Sequence, residues 1–374
     1  MPRPFVYLIC ALAAFLTLSA ETASAAPRRW DVTSINGTEY VRVKDLCDFY
    51  RFSPRKGRSG FVSYGAGNRT VSLRANRQDF YVNNYRYILS YPVRRIGSEL
   101  YISTTDIKKL VDPVLRPRYS TEASTVRTVV IDPGHGGHDA GAVSPWAREK
   151  DCNLAVALKL RDKLVARGYK VVMTREDDRF LTLQQRVRIA NRIPDSVFVS
   201  IHHNSSGRHA TGIETFTLAP HGTTSPFART RRFEELAGND QDSENIALAT
   251  SIHSRAIKST GADDRGIQRA RFSVLCTICR PAILFEGGFV SNPEEGRRIA
   301  TEDYQNKLAD SICDGIVNYT AVVSRSRIKP TGNRRMGATS IGGRSKRSES
   351  APSASRGSAT RIHGNNNYRG TTRL

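Results

Sequence analysis

The sequence predicts an α/β protein: an open, largely parallel sheet flanked by helices, preceded by a small β-rich α+β domain. Three observations lead there. From residue 127 to 323, apolar strand-like runs alternate with helical stretches, the pattern of parallel strands joined by crossovers. Residues 30–118 instead carry short strand-like runs broken by turn residues. The chain of 374 residues, 39% hydrophobic and 25% charged, is too long for one compact core and too apolar to be disordered throughout.

The N-terminus has Arg3, an apolar run from Phe5 to Leu18, and then Ala23-Ser24-Ala25. That reads as a secretory signal peptide over residues 1–25, removed before Ala26. The 14-residue run falls short of the roughly 20 residues a bilayer span requires. A soluble protein exported to the periplasm or cell envelope is expected. Five cysteines then remain, too few and too uneven for a disulfide scaffold. Cys276-Thr-Ile-Cys279 has redox-motif spacing, and buried thiols or one local disulfide is the expectation.

Within 26–118 the strand candidates are 40–43, 60–64, 70–73, 80–82, 87–89 and 100–102, with helices at 43–50 and 104–111. Asn36-Gly37 and residues 65–68 supply the turns, and Ser103 or Thr104 caps the second helix. A polar linker is expected over 119–126. Strands follow at 128–132, 170–174, 197–201, 212–218 and 282–285, and helices at 151–167, 182–193, 243–259 and 303–323. Residues 220–242 form a long polar insertion, a surface loop or a lid over a site. Beyond 323 the chain is rich in Ser, Arg, Gly and Asn, so 324–374 is expected to be a disordered basic tail.

Charge is uneven. The net +22 comes from residues 26–118, with 18 basic and 8 acidic side chains, and from 324–374, with 12 and 1. Residues 119–323 are nearly neutral, which directs the search for chemistry to the middle. There, "TVVIDPGHGG" leads into His135 between glycines, "VFVSIHHN" places His202 and His203 past a buried strand, and "AILFEGGF" ends in Glu286. Ligands of open α/β sheets bind beyond the carboxyl ends of strands, where these groups can converge. Glu149 precedes a helix that returns to the same edge. Two histidines and a carboxylate form a catalytic zinc set that leaves a position for water, whose pKa can fall from near 16 to roughly 7. A carboxylate outside the set can accept the water's proton. The pattern describes metal-assisted hydrolysis of an amide or ester.

"VVIDPGHGGHDAGAV", "EKDCNLAVALKL", "SIHHN", "GIETF", "DRGIQRARFSVL" and "PAILFEGGFVSNPEE" closely resemble, in this order, the zinc-dependent N-acetylmuramoyl-L-alanine amidases of bacterial cell walls. The resemblance spans about residues 127–320. It implies one Zn2+ held by His135, Glu149 and His202, with Glu286 as the catalytic glutamate. The implied substrate is peptidoglycan, at the amide joining N-acetylmuramic acid to L-alanine of the stem peptide. The alternatives are an inactive or regulatory peptidoglycan-binding relative and a zinc carboxypeptidase acting on stem peptides. Over the preceding ninety or so residues, "INGTEYVRVKDL … LYISTTDIKKLVDPVLRP" resembles the small domain named after the N-terminal region of copper amine oxidases. All 8 histidines lie elsewhere, so no copper site is implied.

Neighbouring strand side chains point to opposite faces, so His203 should not share the metal with His202. It is assigned to the surroundings of the ligands, together with His138 and Asp139. Arg175, Asn204 and Arg265 are candidate substrate contacts, and Glu214 reads as a salt-bridged strand residue. The basic flanks suit anionic envelope polymers; export argues against nucleic acid. A protein activator is a further candidate partner.

Overall fold

The computed structural model describes residues 30–121, 125–225 and 234–326. The expected signal peptide, the centre of the 220–242 insertion and almost all of the basic tail lie outside the described residues.

The described chain begins with β1 (Val32–Ile35) and β2 (Thr38–Arg42), joined by Asn36-Gly37 with positive φ at both residues, as a tight primed turn demands. After α1 (Val43–Tyr50) comes an antiparallel meander of β3 (Ser53–Arg55), β4 (Val62–Ala66), β5 (Arg69–Leu73), β6 (Asp79–Val82) and β7 (Tyr85–Ile88). Next, β8 (Arg94–Ile96) and β9 (Glu99–Ser103) close a four-stranded sheet with β1 and β2. A helical run follows: α2 (Thr104–Asp106), a π-helical stretch at Ile107–Val111, α3 (Asp112–Leu115) and α4 (Pro117–Ser120). The Ser103 hydroxyl accepts from Asp106 N at its start, the expected cap. The segment expected to be linker thus begins inside α4.

Strand–helix alternation then takes over, with β10 (Thr128–Pro133), α5 (Glu149–Ala166), β11 (Lys170–Met173), α6 (Leu183–Asn191), β12 (Ser196–Asn204) and β13 (Ile213–Leu218). The chain continues through α7 (Asp242–Thr260), β14 (Asp264–Ala270), α8 (Ser273–Cys276), β15 (Ala282–Phe289), α9 (Pro293–Ile299) and α10 (Glu302–Ser326). Every residue of β10, β13 and β15 is buried, as expected of strands covered on both faces. Thr182 and Gln185 form a capping box at α6, Asn292 caps α9 ahead of Pro293, and Gly261 ends α7 in the left-handed conformation. Strand β14 was not anticipated. Its sequence, DRGIQRA, has only Ile267 and Ala270 as buried apolar anchors.

The sheet runs β11-β10-β12-β15-β13-β14-β7-β6-β5-β4-β3. From β11 to β15 the pairing is parallel; β13 and β14 are parallel to each other, and β13 is antiparallel to β15. The accessory strands do not stand apart: β7 pairs with β14 through Ile267 and Tyr87 and extends the sheet. Side chains alternate between two cores. Val129, Ile131, Val199, Ile201 and Phe285 face α5, α7 and α10, and Val130, Phe198, Phe216 and Leu284 face α6 and α8. Cys276 is half-buried and Cys279 exposed, and the two form no disulfide.

Candidate metal centre and catalytic carboxylate

Strand β10 delivers His135 to the sheet's edge on a loop with tight steric demands. His135 is itself in the left-handed region, at φ 60°. A Cβ on Gly134 would stand 2.2 Å from the His202 ring, and one on Gly141 would stand 2.5 Å from Glu149 Oε2. Glycine at both positions therefore lets the ligand side chains approach. Two buried arginines hold the loop's carbonyls. Arg175 donates to the carbonyls of Pro133, Gly134, Lys150 and Asp177, and Arg186 to Asp132 and the carbonyls of Pro133 and His135. Asp132 also accepts from Thr174 and Ser200. Burial alone would raise its pKa, but Arg186 and those hydroxyls hold it below the ordinary carboxylate value.

Glu149, the first residue of α5, is completely buried. Its Oε2 accepts from Ala142 N at 2.8 Å. Its Oε1 lies 2.9 Å from His202 Nδ1 and 3.1 Å from His135 Nε2. Burial opposes its charge, yet the two imidazoles hold the carboxyl below its ordinary range. His135 turns Nδ1 toward Asp139 Oδ2 at 2.8 Å, leaving Nε2 directed inward. Burial lowers the His135 pKa and the Glu149 and Asp139 carboxylates raise it, with a net rise.

One ligand atom from each of His135, Glu149 and His202 falls within 4.8 Å of the others, and no other such trio occurs among the described residues. A tetrahedral site with bonds of about 2.0–2.1 Å has ligand–ligand edges of about 3.3 Å. The 2.9 and 3.1 Å separations approach that edge, and the buried His135 Nε2 has no well-aligned hydrogen-bond partner. This donor set fits a small divalent cation such as zinc.

Glu286, on β15, sits opposite His202 of β12 and opposite Glu214 of β13. It is 1% exposed and its Oε2 has no partner. Burial first, and then the charges of Glu149 and Glu214, push its pKa well above the ordinary value. Two cavities meet at the ligands. One, of about 670 Å³, is lined by His135, His138, Asp139, Glu149 and Ser205–Gly207. The other, of about 360 Å³, is more apolar and is lined by His135, His202, Phe180, Leu181, Leu183 and Phe272.

The remaining sequence candidates divide. His203 points into the interior, its Nδ1 against Asn153 Oδ1 at 2.8 Å, and burial lowers its pKa to about 4. It supports Asn153, which donates to Glu149 and to the Gly134 carbonyl. His138 packs on Phe180 and lines the larger cavity. Arg175 must be corrected: at 0% exposure, its guanidinium serves backbone carbonyls and has no surface to offer a substrate. Asn204 and Arg265 both donate to Glu214, at 2.8 and 2.7 Å, which gives Glu214 its salt bridge. Arg265 keeps 40% of its side chain exposed. Sequence reasoning missed Asn153, Asp132 and Arg186. Only Asn153 left a signal, lying one helical turn beyond Glu149 on the same face.

Three relatives each match half of the chain or more. The uncharacterized protein YqiI of Bacillus subtilis (strain 168) is 39% identical over 194 residues, 52% of this chain and 84% of that protein. N-acetylmuramoyl-L-alanine amidase AmiA of Escherichia coli (strain K12) is 32% identical over 219 residues, covering 52% of this chain and 76% of AmiA. N-acetylmuramoyl-L-alanine amidase AmiC of Escherichia coli O6:H1 is 34% identical over 244 residues, 58% of each chain. Residues 129–318, which contain the ligand trio and Glu286, match the N-acetylmuramoyl-L-alanine amidase family Amidase_3, and the chain belongs to that family.

Proposed function

We propose that the chain is a peptidoglycan hydrolase that cleaves the amide between N-acetylmuramic acid and L-alanine of the stem peptide, with zinc held by His135, Glu149 and His202 and with Glu286 as general base. Family membership supports the reaction. The observation that carries the mechanism is the meeting of two imidazoles and a carboxylate beside a buried, unpartnered glutamate.

Bound there, zinc would supply Lewis acidity to polarise the amide carbonyl and acidify a water. The protein's own groups do the rest. Asp139 fixes the tautomer and orientation of His135 through its Nδ1. Asn153 and Ala142 N anchor the Glu149 carboxylate. Glu286 takes the proton of the attacking water as the C–O bond forms, then hands it to the amine nitrogen as the C–N bond breaks. Burial and the neighbouring carboxylates of Glu149 and Glu214 raise its pKa, which makes the carboxylate a stronger proton acceptor than an exposed glutamate.

Export to the periplasm or cell envelope accords with this substrate. Among the described residues no helix is long and apolar enough to cross a membrane. The basic flanks would hold the protein near anionic envelope polymers, and a protein activator is a further candidate partner.

The test is mass spectrometry of purified peptidoglycan digested with the chain, with and without chelator, beside Glu286→Gln. Free stem peptides beginning with L-alanine, abolished by chelator and by Glu286→Gln, are expected. Shortened stems still attached to muramic acid would replace this reading with a carboxypeptidase.

A further inference from the structure

The side-chain row that holds His202 and Glu286 continues far beyond the catalytic strands. Residues directly opposite on neighbouring strands present their side chains to the same face. His202 lies opposite Glu286, Glu286 opposite Glu214, and Glu214 opposite Gly266. The Ile267–Tyr87 pairing then sets Gly266 beside Arg86, with a Cβ at 266 only 3.2 Å from that residue. Arg86 lies opposite Tyr81, Tyr81 opposite Ser72, and Ser72 opposite Ser63. One face thus runs from the metal site onto β7, β6, β5 and β4, and Gly266, having no side chain, lets Arg86 pack over β14. At about 4.8 Å per strand, Arg86 stands ~14 Å and Tyr81 ~19 Å from Glu286.

This extension is firmly attached. Arg86 N donates to Asp264, Tyr87 OH to Thr250 and Tyr91 OH to the Gly222 carbonyl, and Lys109 pairs with Asp242. It is also strongly basic. Residues 53–96 hold nine Lys and Arg against one acid, Asp79. Asp79 is shared by Arg86 at 2.6 Å and Arg74 at 3.7 Å. Arg58 lies 4.1 Å from the centre of the Tyr81 ring, Arg74 lies 4.8 Å from that of Phe61, and the two rings meet edge to face at 5.3 Å. Stacking holds the Arg58 and Arg74 guanidinium groups flat, which presents forked donors to carboxylates, while Arg86 is committed to Asp79 and the Arg265 carbonyl and orders the centre of the patch.

Peptidoglycan carries free carboxylates on successive stem peptides along each glycan strand. We propose that the outward face of β4–β7, with Arg58, Arg74 and Arg86 arranged around Tyr81, is a second contact surface for the peptidoglycan strand whose amide occupies the metal site. Its ligands are the carboxylates of neighbouring stem peptides. The inference rests on the amidase reading above. It makes the accessory strands part of substrate recognition, favouring polymer over short fragments.

The experiment compares the chain with Arg58→Ser/Arg74→Ser and with Arg58→Glu. It measures stem-peptide release from insoluble peptidoglycan sacculi and from a soluble single-disaccharide muropeptide, too short to reach Tyr81. Release from sacculi at subsaturating substrate should fall about tenfold, as for two partly exposed charge contacts, and should lose its salt dependence. Release from the short muropeptide should stay within about twofold, which also shows that the variants fold. Equal loss on both substrates, or on neither, would overturn the proposal. If the parent chain cleaves neither substrate, the amidase reading fails by itself. Co-sedimentation of Glu286→Gln with sacculi, with and without the arginine substitutions, then decides the surface alone, and unchanged retention refutes it. Arginine-dependent retention on phosphatidylglycerol vesicles with sacculus binding unaffected would assign the face to lipid and overturn the proposal too.

Discussion

Replacing Asp139 by Asn should weaken zinc binding without unfolding the protein. The Asp139 carboxylate uses Oδ2 on His135 Nδ1 at 2.8 Å and Oδ1 on Gly141 N at 3.2 Å. Asparagine keeps the shape but not the charge. If its oxygen accepts from the imidazole, its amide nitrogen faces the Gly141 N–H, donor against donor. Carboxylates that orient a metal-bound imidazole are generally worth 10–100-fold in metal affinity. Asp139 is 41% exposed, so water moderates the loss and the lower end applies, about tenfold or ~1.4 kcal/mol. Asp139→Ala also frees the imidazole to rotate and should cost more. Competition with a chromophoric chelator at fixed pH measures both constants, and circular dichroism of the metal-free forms checks the fold. Zinc affinities of both variants within about twofold of the parent would refute the role given to Asp139.

Other substitutions test other parts of the site. Gly134→Ala sets a Cβ 2.2 Å from the His202 ring and should reduce the zinc content seen by atomic absorption; full occupancy would contradict that close approach. Arg175→Met strands the buried carbonyls it serves, each worth about 1–3 kcal/mol. Urea denaturation should show a loss of about 3 kcal/mol or more, and a change in KM without a change in stability would restore Arg175 as a substrate contact. Asp132 has a folded pKa below its unfolded one, so its stabilising effect is complete above the unfolded value of about 4 and is lost as pH falls through the folded value. Unfolding free energy should drop below about pH 4, and Asp132→Asn should flatten that part of the profile.

What the sequence made legible followed from short-range pattern. Buried strands such as VVID and FVSI announce themselves by composition, and Gly-His-Gly-Gly at a strand's end marks a close backbone approach. The alternation of His202 and His203 across β12 followed from the two-residue period of a strand, and His203 indeed turns inward to Asn153. Long-range geometry was hidden. Arg175 follows a strand end, as a ligand-binding arginine would, but its target is the backbone of a loop 41 residues away. Asn204 and Arg265 meet at Glu214 because β12, β13 and β14 draw together there, which no local signal encodes. The extension of the sheet by β7 pairs residues separated by 180 positions, beyond the reach of any local pattern. A polar β14 and an accessory module with its own turns gave every reason to read separate units.

The buried arginines bear on why the His135 loop can exist at all. A left-handed residue with a side chain costs about 1–2 kcal/mol, and the turn leaves carbonyls pointing into the interior instead of to water. Arg175 and Arg186 answer both problems at once. The Pro133 oxygen accepts from both guanidinium groups, Gly134 from Arg175 and Asn153, and His135 from Arg186. Hydrogen bonds from charged donors contribute about 1.5–3 kcal/mol each, so two or three of them exceed the backbone strain. Lysine could not substitute, because a single ammonium lacks the planar fork that spans consecutive carbonyls. The arrangement places two cations close to a cation site, which would weaken metal binding if left unbalanced. Asp132 against Arg186, together with the carboxylates of Glu149 and Asp139, supplies the compensating charge. The rigidity of the loop and its affinity for a metal therefore depend on the same group of residues, and Asp132 links the two.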